Sequence, residues 1–438
     1  MGAGGRIAFS DAFGIADLET GAPATPLTRF RIGSIGKSLT VAGAVLLAER
    51  GRLDLDARVD RYLPAVISAA GGATARQLAG HLGGIRHYRD DEYIGVTHYD
   101  DVLDAIEPFI GDSLVAPPGA EYSYSTYGYT LLSAVVQAAA GEPFFEWMRR
   151  AVFEPLGMTG SVADDVEAVV PHRAAFYRID EGELVPARFT DNSYKLAGGG
   201  LLSTPEDLAR FGIGLLEGAL LTDDGVRSLF ASQRTSAGEE TGNGLGFRPR
   251  LDWDGRRVVH HGGASEGGRA FLLLYPEEGI VVAMATNRSN APLFEQEAQS
   301  VAHLFLEHGP DGEGFLDDSL AGAWSFSGSH GDDAVEGELR LYAEGNVRGM
   351  LEWSDEEPPI EILLVDRHGE RLRLFGAGPP GVMNLWLAPD AEGWAGRWDY
   401  LGKEGEVRLR QPGVPNLSGS GQTRHGVVVS LWWGASLH

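Results

Sequence analysis

The chain has 438 residues, of which 43% are hydrophobic and 22% charged, as expected for a soluble globular protein large enough for more than one domain. Its net charge of −26, with no basic cluster, argues against nucleic acid or an anionic membrane as partners. There is no cysteine, which excludes disulfides, thiolate nucleophiles and thiolate metal sites. No apolar run reaches transmembrane length and MGAGGR lacks a signal-peptide pattern, so we expect no membrane insertion and a cytoplasmic location.

The first 308 residues mix predicted helices and strands. A hairpin is predicted at 6–18. The run SLTVAGAVLLAERG is apolar on nearly every face and has no breaker before Gly51, which predicts a buried central helix after Ser34. The elements predicted further along the chain are helices at 127–140 and 205–217, strands at 256–261, 270–275 and 280–286, and a helix at 292–308.

The last part of the chain has a different pattern. The Gly- and Asp-rich segment 309–320 is typical of a linker. From Ala321 onwards apolar and polar residues alternate, which predicts an all-β domain, a small lipocalin-like barrel. This part holds seven of the nine tryptophans, which favours barrel packing over a ligand cavity. We therefore predict domains at 1–308 and 321–438.

The segment RIGSIGKSLT, residues 31–40, permits two interpretations. A phosphate-binding loop needs a glycine six residues before its lysine, but that position holds Arg31, followed by β-branched Ile32. The other interpretation is S-x-x-K, formed by Ser34 and Lys37, which occurs once in a chain with three lysines. We favour the second interpretation, which predicts a nucleophile.

The chemistry of this pair follows from helix geometry. Ser34 and Lys37 lie one turn apart on the same side of the predicted helix. Serine at a helix N-terminus lies beside free backbone N–H groups, and it needs a base within hydrogen-bond reach. A lysine desolvated in a core can be that base because burial lowers its pKa. The alternative is an N-cap serine beside a surface lysine.

A rival nucleophile occurs at residues 263–267, where GASEG fits the G-x-S-x-G elbow of α/β-hydrolases, and AGGG at 197–200 resembles their oxyanion loop. The elbow needs a helix after its serine. The sequence after Ser265 predicts two strands joined by a turn, so an α/β-hydrolase using Ser265 is the weaker alternative.

Three histidines, His81, His87 and His98, lie near several acidic residues. No H-E-x-x-H or comparable spacing is present. We expect a solvated acidic loop with packed histidines, no metal site and no cofactor.

Several motifs together carry a family resemblance: RIGSIGKSLT, YSYSTYGYTLLSAVVQAAAG, FEPLGMTGS, AGGGLLSTPEDLARFG and HHGGASEGG. In order and rough spacing, residues 6 to about 308 resemble the penicillin-binding-protein-like serine hydrolases, which include class C β-lactamases, D-aminopeptidases and family VIII carboxylesterases. HLGGIRHY at 81–88, DNSYK at 191–195 and Tyr-Ser-Thr at 124–126 are most similar to the mitochondrial β-lactamase-like serine peptidases and their bacterial relatives.

The resemblance implies an α/β (α+β) fold, with a five-stranded antiparallel sheet flanked by helices and a helical subdomain. It implies that Ser34 is the nucleophile and Lys37 its base partner. Tyr124 matches the tyrosine of the family's Y-x-N motif, which relays protons to the leaving group and helps activate water. We expect a neighbouring ammonium to lower the pKa of Tyr124 from about 10.

The segment HHGGA supplies the remaining residues implied by the resemblance, namely His261, Gly262, Gly263 and Ala264. His261 stands at the lysine of the family's K-T-G motif, or His260 does if the register is shifted by one residue. The backbone N–H groups of Ser34 and Ala264 would form the oxyanion hole.

Two departures from the β-lactamase pattern bear on the substrate. Thr126 occupies the Asn position of Y-x-N and lacks its carboxamide. His261 replaces a permanent cation with an imidazole that titrates near pH 6.5 if unperturbed, so we expect affinity for carboxylates to rise as the pH falls through about 6.5. We predict a hydrolase of small esters or of amide or peptide bonds, with weak or no β-lactamase activity. The alternative is a β-lactam- or peptide-binding receptor that is acylated without turnover, and the oligomeric state stays open.

Overall fold

The structure is a computed structural model of the chain. It describes residues 1–64, 72–252, 255–291, 293, 295–306, 320–330, 333–342, 349–353, 358–368, 371–378, 381–391, 393–400 and 403–410. The chain divides into two compact units, Met1–Glu313 and Gly314–His438. The predicted linker at 309–320 lies outside the described residues except for Leu320. We propose that the two units are the predicted domains 1–308 and 321–438.

The first unit contains short and long strands throughout its length. In chain order they are β1 (Gly2–Ala3), β2 (Arg6–Ile7), β3 (Ile15–Asp17), β4 (Ala22–Pro23), β5 (Phe30–Arg31), β6 (Val162–Ala163), β7 (Tyr177–Asp180), β8 (Glu183–Pro186), β9 (Leu201–Ser203), β10 (Arg248–Leu251), β11 (Arg257–Ser265), β12 (Gly268–Tyr275) and β13 (Ile280–Thr286). Its α-helices are α1 (Ile35–Glu49), α2 (Ala75–Ala79), α3 (Glu107–Ile110), α4 (Thr126–Ala140), α5 (Phe144–Met148), α6 (Leu196–Gly199), α7 (Pro205–Leu216), α8 (Asp223–Phe230) and α9 (Glu295–Leu306). A π-helical segment, Arg149–Phe153, continues α5.

The main sheet has the order β10–β11–β12–β13–β1–β2, with antiparallel pairing throughout. The predicted mixed fold with an antiparallel sheet is confirmed, although the sheet has six strands rather than five. The prediction of a hairpin at 6–18 was wrong, because Gly4 and Gly5, with φ of +56° and +72°, turn the chain earlier and pair β1 with β2. Strand β3 pairs instead with β4 in a separate small sheet.

The main sheet packs on both faces. On one face Val259, Leu272 and Leu274 join the large hydrophobic core that includes α1 and α4. On the other face residues such as Phe271 and Leu273 pack against α9. This two-sided burial explains why β12 and β13 are nearly continuous apolar runs.

Helix α1 runs through the middle of the large core. Every residue from Ile35 to Leu47 is buried, which confirms the prediction of a buried central helix. Because all its faces are covered, a polar side chain at its start is also enclosed. The helices predicted at 127–140, 205–217 and 292–308 correspond to α4, α7 and α9, and the strands predicted at 256–286 to β11, β12 and β13.

The second unit is a closed barrel, which confirms the predicted small all-β fold. Its strands pair with their neighbours in chain order, and β14 closes the barrel against β21: β14 (Gly322–His330), β15 (Asp333–Leu341), β16 (Gly349–Glu352), β17 (Ile360–His368), β18 (Arg371–Gly378), β19 (Gly381–Asp390), β20 (Gly393–Tyr400) and β21 (Lys403–Arg410). Buried side chains of alternate residues, Trp324, Phe326 and Trp398 among them, form its hydrophobic core. In the part of the chain that the structure describes, no helix combines the length and apolarity needed to cross a membrane.

Candidate active site

Ser34 lies at the N-terminus of α1, where the backbone closely approaches β11. Gly33 has φ +48°, and a Cβ there would lie 2.6 Å from both N and O of Ala264. A Cβ on Gly263 would lie 1.9 Å from the Ile32 carbonyl oxygen and 3.3 Å from the Ser34 nitrogen. Only glycine permits this contact, which places the backbone of Ser34 beside that of Ala264. An oxyanion hole made of these two N–H groups needs the two backbones to be neighbours, and its formation stays a prediction.

Lys37 is completely buried one turn into α1. Its Nζ lies 3.1 Å from Ser34 Oγ, 3.0 Å from Thr126 Oγ1 and 2.7 Å from the Gly198 carbonyl oxygen. Burial, with a smaller contribution from Arg248, lowers the pKa of Lys37 well below its ordinary value of 10.5. The Ser34 side chain makes no capping hydrogen bond, so the alternative of an N-cap serine with a surface lysine is wrong.

Tyr124 approaches Ser34 from the segment before α4. Its hydroxyl donates a hydrogen bond of 2.8 Å to Ser34 Oγ, and Lys37 Nζ lies 5.0 Å from its ring centroid. We expected a lowered pKa, but burial raises the pKa of Tyr124 above 10.0 and outweighs the effects of the hydrogen bond with Ser34 and of the charge of Arg248. The direction of the shift follows from the burial of the hydroxyl, which disfavours the phenolate more than the nearby positive charge favours it.

The two neighbouring histidines of β11 face opposite sides of the sheet. His260 stacks on Phe271 with 5.3 Å between ring centroids, and its Nε2 lies 3.3 Å from Glu295 on α9. His261 lies on the other face, where Nδ1 donates to the Gly262 carbonyl oxygen at 2.7 Å. Burial lowers the pKa of His261 to about 3. The expected titration near pH 6.5 is therefore wrong.

Sequence reasoning missed one cation of the site, Arg248. This first residue of β10 pairs with His260 in the sheet, and its guanidinium carbon lies 5.9 Å from the centroid of the Tyr124 ring. Its charge contributes to the lowered pKa of both Lys37 and His261. The only signal was a short FRPRL stretch, and Pro249 made a strand there hard to predict even though proline is tolerated at a sheet edge. The site thus holds a permanent cation although its K-T-G lysine is replaced.

The rival serine, Ser265, is the last residue of β11, and β12 begins three residues later. A strand therefore follows it where the nucleophile elbow needs a helix. The AGGG segment at 197–200 does not serve as an oxyanion loop for Ser265, because the Gly198 carbonyl accepts from Lys37 instead. The GASEG and AGGG segments therefore do not form the site of an α/β-hydrolase.

Arg31 supports the loop that carries Ser34. Its side chain is buried and donates to Asp164 Oδ2 at 2.7 Å and to the Glu266 carbonyl oxygen at 2.7 Å. It thereby ties the strand before Ser34 to the turn after β11. The residue that argued against a phosphate-binding loop is a structural support of the nucleophile loop.

The three histidines of residues 81–98 occupy separate environments. His98 Nδ1 lies 2.7 Å from Asp191 Oδ2, and this hydrogen bond raises the pKa of His98. His81 and His87 instead lie against the ring of Tyr124, with centroids 4.3 Å and 5.4 Å away.

The structure brings the predicted site residues to one region, namely Ser34, Lys37, Tyr124, Thr126, His261, Gly262, Gly263 and Ala264. Their chemical roles stay predictions.

A family model described as Beta-lactamase matches residues 2–305. The chain belongs to this beta-lactamase family. The resemblance drawn from the motifs is thereby confirmed.

Several relatives are similar over part or most of the chain. The mitochondrial serine beta-lactamase-like protein LACTB of Homo sapiens is 31% identical over 284 residues, which cover 49% of this chain and 52% of that protein. This chain thus spans about half the length of that relative. Penicillin-binding protein 4* of Bacillus subtilis (strain 168) is 24% identical over 324 residues, 69% of this chain and 70% of that protein.

Solved structures with similar folds include the octameric penicillin-binding protein homologue from Pyrococcus abyssi, with a TM-score of 0.58 and 22% identity over 92% of this chain and 94% of that chain. The D-amino acid amidase from Ochrobactrum anthropi SV3, in complex with D-phenylalanine, has a TM-score of 0.54 and 22% identity over 63% of this chain and 81% of that chain. At these identities the likeness shows the fold.

The contact between the Ser34 loop and β11 predicts unequal effects at two adjacent glycines. Gly263→Ala should destabilise the protein by about 1–3 kcal/mol, because its Cβ would meet a backbone oxygen that cannot rotate away. Gly262→Ala is the matched control, since its Cβ would meet only the Phe271 ring, at 3.2 Å. Urea unfolding of both variants measures the difference, and equal losses would contradict the proposed backbone contact.

Proposed function

We propose that this protein is a serine hydrolase that forms an acyl-enzyme at Ser34 with small esters or with amide or peptide bonds. The observation that carries the proposal is the position of Ser34 Oγ, 3.1 Å from Lys37 Nζ and 2.8 Å from the Tyr124 hydroxyl. Membership of the beta-lactamase family supports the same conclusion.

In the first step, neutral Lys37 acts as the base. Its two N–H bonds point to Thr126 Oγ1 and the Gly198 carbonyl, which leaves its lone pair for the Ser34 hydroxyl proton. Ser34 Oγ then attacks the carbonyl carbon of the substrate. The developing oxyanion is held by the N–H groups of Ser34 and Ala264, each donor being worth roughly 3–4 kcal/mol in comparable sites.

In the second step, the tetrahedral intermediate collapses and the bond to the leaving amine or alcohol breaks. The protonated Tyr124 hydroxyl, with its raised pKa, gives the proton that the leaving group needs. The proton taken up by Lys37 restores Tyr124. Water then attacks the acyl-enzyme by the reverse sequence, which releases the acid and frees Ser34.

Arg248 favours substrates that carry a carboxylate near the scissile bond. It supplies the positive charge that neutral His261 does not, and guanidinium groups bind carboxylates with two parallel hydrogen bonds. Peptides with a free carboxylate fit this description. The amidase named among the similar structures supports amides beside esters as substrates.

β-Lactams are expected to be poor substrates. Thr126 holds the position of an asparagine carboxamide, and its hydroxyl oxygen accepts a hydrogen bond from Lys37 at 3.0 Å. This hydroxyl has one O–H donor for the acyl amide of a β-lactam, whereas a carboxamide has two N–H donors and an acceptor oxygen. The expected outcome is weak or no β-lactamase activity.

A fluorophosphonate probe tests the nucleophile. One adduct should form at Ser34, and Ser34→Ala should lose both labelling and p-nitrophenyl ester hydrolysis, because no other activated hydroxyl is proposed. Ser265→Ala is the matched control and should keep both. Labelling at Ser265 would contradict the proposal, and a stoichiometric burst without turnover would identify the receptor alternative.

The pH dependence follows from the two shifted groups. Lys37 must be neutral and its pKa is lowered, so kcat/KM for a neutral ester should rise with pH to a plateau whose midpoint lies well below 10.5. Tyr124 must be protonated and its pKa is raised, so kcat/KM should not decline before pH 10.0. Stopped assays with a pH-stable ester measure the profile, and an alkaline decline that begins several units below pH 10.0 would contradict the assigned roles.

Arg248→Gln should lower kcat/KM for a carboxylate-bearing ester about tenfold relative to its neutral analogue, since hydrogen bonds to charged groups contribute about 1.5–3 kcal/mol. The ratio of the two substrates is the readout, because Arg248 also affects the pKa of Lys37. Arg250→Gln, an exposed arginine of the same strand, is the control and should leave the ratio unchanged. An unchanged ratio in Arg248→Gln would show that Arg248 does not bind substrate.

A further inference from the structure

His81 has an unusual backbone for a buried residue. It lies just after α2, only 5% exposed, with φ +58° in the left-handed region. Residues other than glycine uncommonly adopt this conformation, although His, Asn and Asp do so more often than other residues, and at a buried position it persists where surrounding contacts impose it. The contacts of His81 therefore indicate what the strained backbone maintains.

Those contacts converge on the segment that carries Tyr124. The Ser125 backbone N–H donates to His81 Nδ1 at 3.1 Å, and the Ser123 backbone N–H donates to the His81 carbonyl oxygen at 2.8 Å. The imidazole also stacks on the Tyr124 ring, with 4.3 Å between centroids and 35° between planes. One histidine thus holds the backbone on both sides of Tyr124 and the ring between them.

A second histidine completes the enclosure of the ring. His87 meets Tyr124 edge-on, with 5.4 Å between centroids and 83° between planes, and its Nδ1 accepts from the Thr126 backbone N–H at 3.3 Å. Both imidazoles accept at Nδ1, so both are neutral when they make these bonds. Burial lowers the pKa of His81 well below 6.5 and that of His87 to about 4, consistent with this state.

We propose that His81 is a positioning residue that fixes the Tyr124 hydroxyl at Ser34. It touches neither Ser34 nor the reacting atoms, and it acts through the orientation of Tyr124. The 2.8 Å hydrogen bond between Tyr124 and Ser34 depends on the ring angle that the stacking sets. The inference rests on the proposed function, since it assigns Tyr124 a task in proton transfer.

The main test is His81→Gly, because glycine accepts φ +58° without strain and the chain should still fold. With a p-nitrophenyl ester, kcat should fall about 100-fold while KM changes less than about twofold, since a 1 Å misplacement of a catalytic group has roughly this effect. His172→Gly is the matched control: its φ is +59°, it is exposed, and it should keep wild-type kinetics.

Two further variants separate positioning from a general structural role. In a Tyr124→Phe background, His81→Gly should reduce kcat by less than about twofold, because the hydroxyl that His81 positions is gone. His81→Asn should recover part of kcat, since asparagine tolerates this backbone and its carbonyl can accept from Ser125. Additive losses in the double variant, or wild-type kcat in a folded His81→Gly protein, would overturn the proposal.

A crystal structure of His81→Gly gives a readout that does not depend on turnover. The distance from the Tyr124 hydroxyl to Ser34 Oγ should increase by about 1 Å or more, in line with the expected loss of kcat. An unchanged distance would overturn the positioning role even if the wild-type protein were inactive. Failure of the wild type to label or turn over would instead refute the proposed function.

Discussion

The site depends on the burial of one amine. An ammonium moved into a protein interior costs several kcal/mol, and this cost favours the neutral form of Lys37. Burial is possible because α1 is covered on all sides, and that coverage needs both the sheet and α4. The Gly198 carbonyl and the Thr126 hydroxyl then accept the hydrogen bonds of the amine, so that no carboxylate has to do so. A nearby acidic group would have kept Lys37 charged and unable to accept a proton.

The groups around Ser34 share this preference for the uncharged state. Tyr124 is kept protonated, and His81, His87 and His261 have lowered pKa values. In the proposed reaction, charge then develops mainly on the substrate oxygen and on Lys37, where fixed dipoles can stabilise it without reorganisation. Arg248 is the exception, because this first residue of β10 carries a positive charge beside the ring of Tyr124.

Much of this arrangement is local and could be predicted. The S-x-x-K pair lies at the start of a long apolar helix, and this helix and the strands β12 and β13 are long apolar segments that the sequence shows directly. The short strands β1 and β2 do not, since two residues show no periodicity, and the turn at Gly4 and Gly5 was missed. The direction of the Tyr124 pKa shift depends on the balance between burial and charge, which only tertiary structure sets. Arg248 and the contacts of His81 with the Tyr124 segment were missed because the partner residues lie 124 and 44 residues away in the chain.

The close contact between the Ser34 loop and β11, at Gly33 and Gly263, limits which substitutions the protein can accept during evolution. Gly33 and Gly263 leave no room for side chains, so the geometry of the reaction centre cannot be adjusted by small steps at these positions. Strand β10 is different, because in the described part of the sheet it bonds to β11 alone and its side chains can be exchanged at lower cost. If the proposed function holds, substrate preference can therefore change through residues such as Arg248 while the geometry around Ser34 stays the same. One reaction centre of this design can thus serve several specificities.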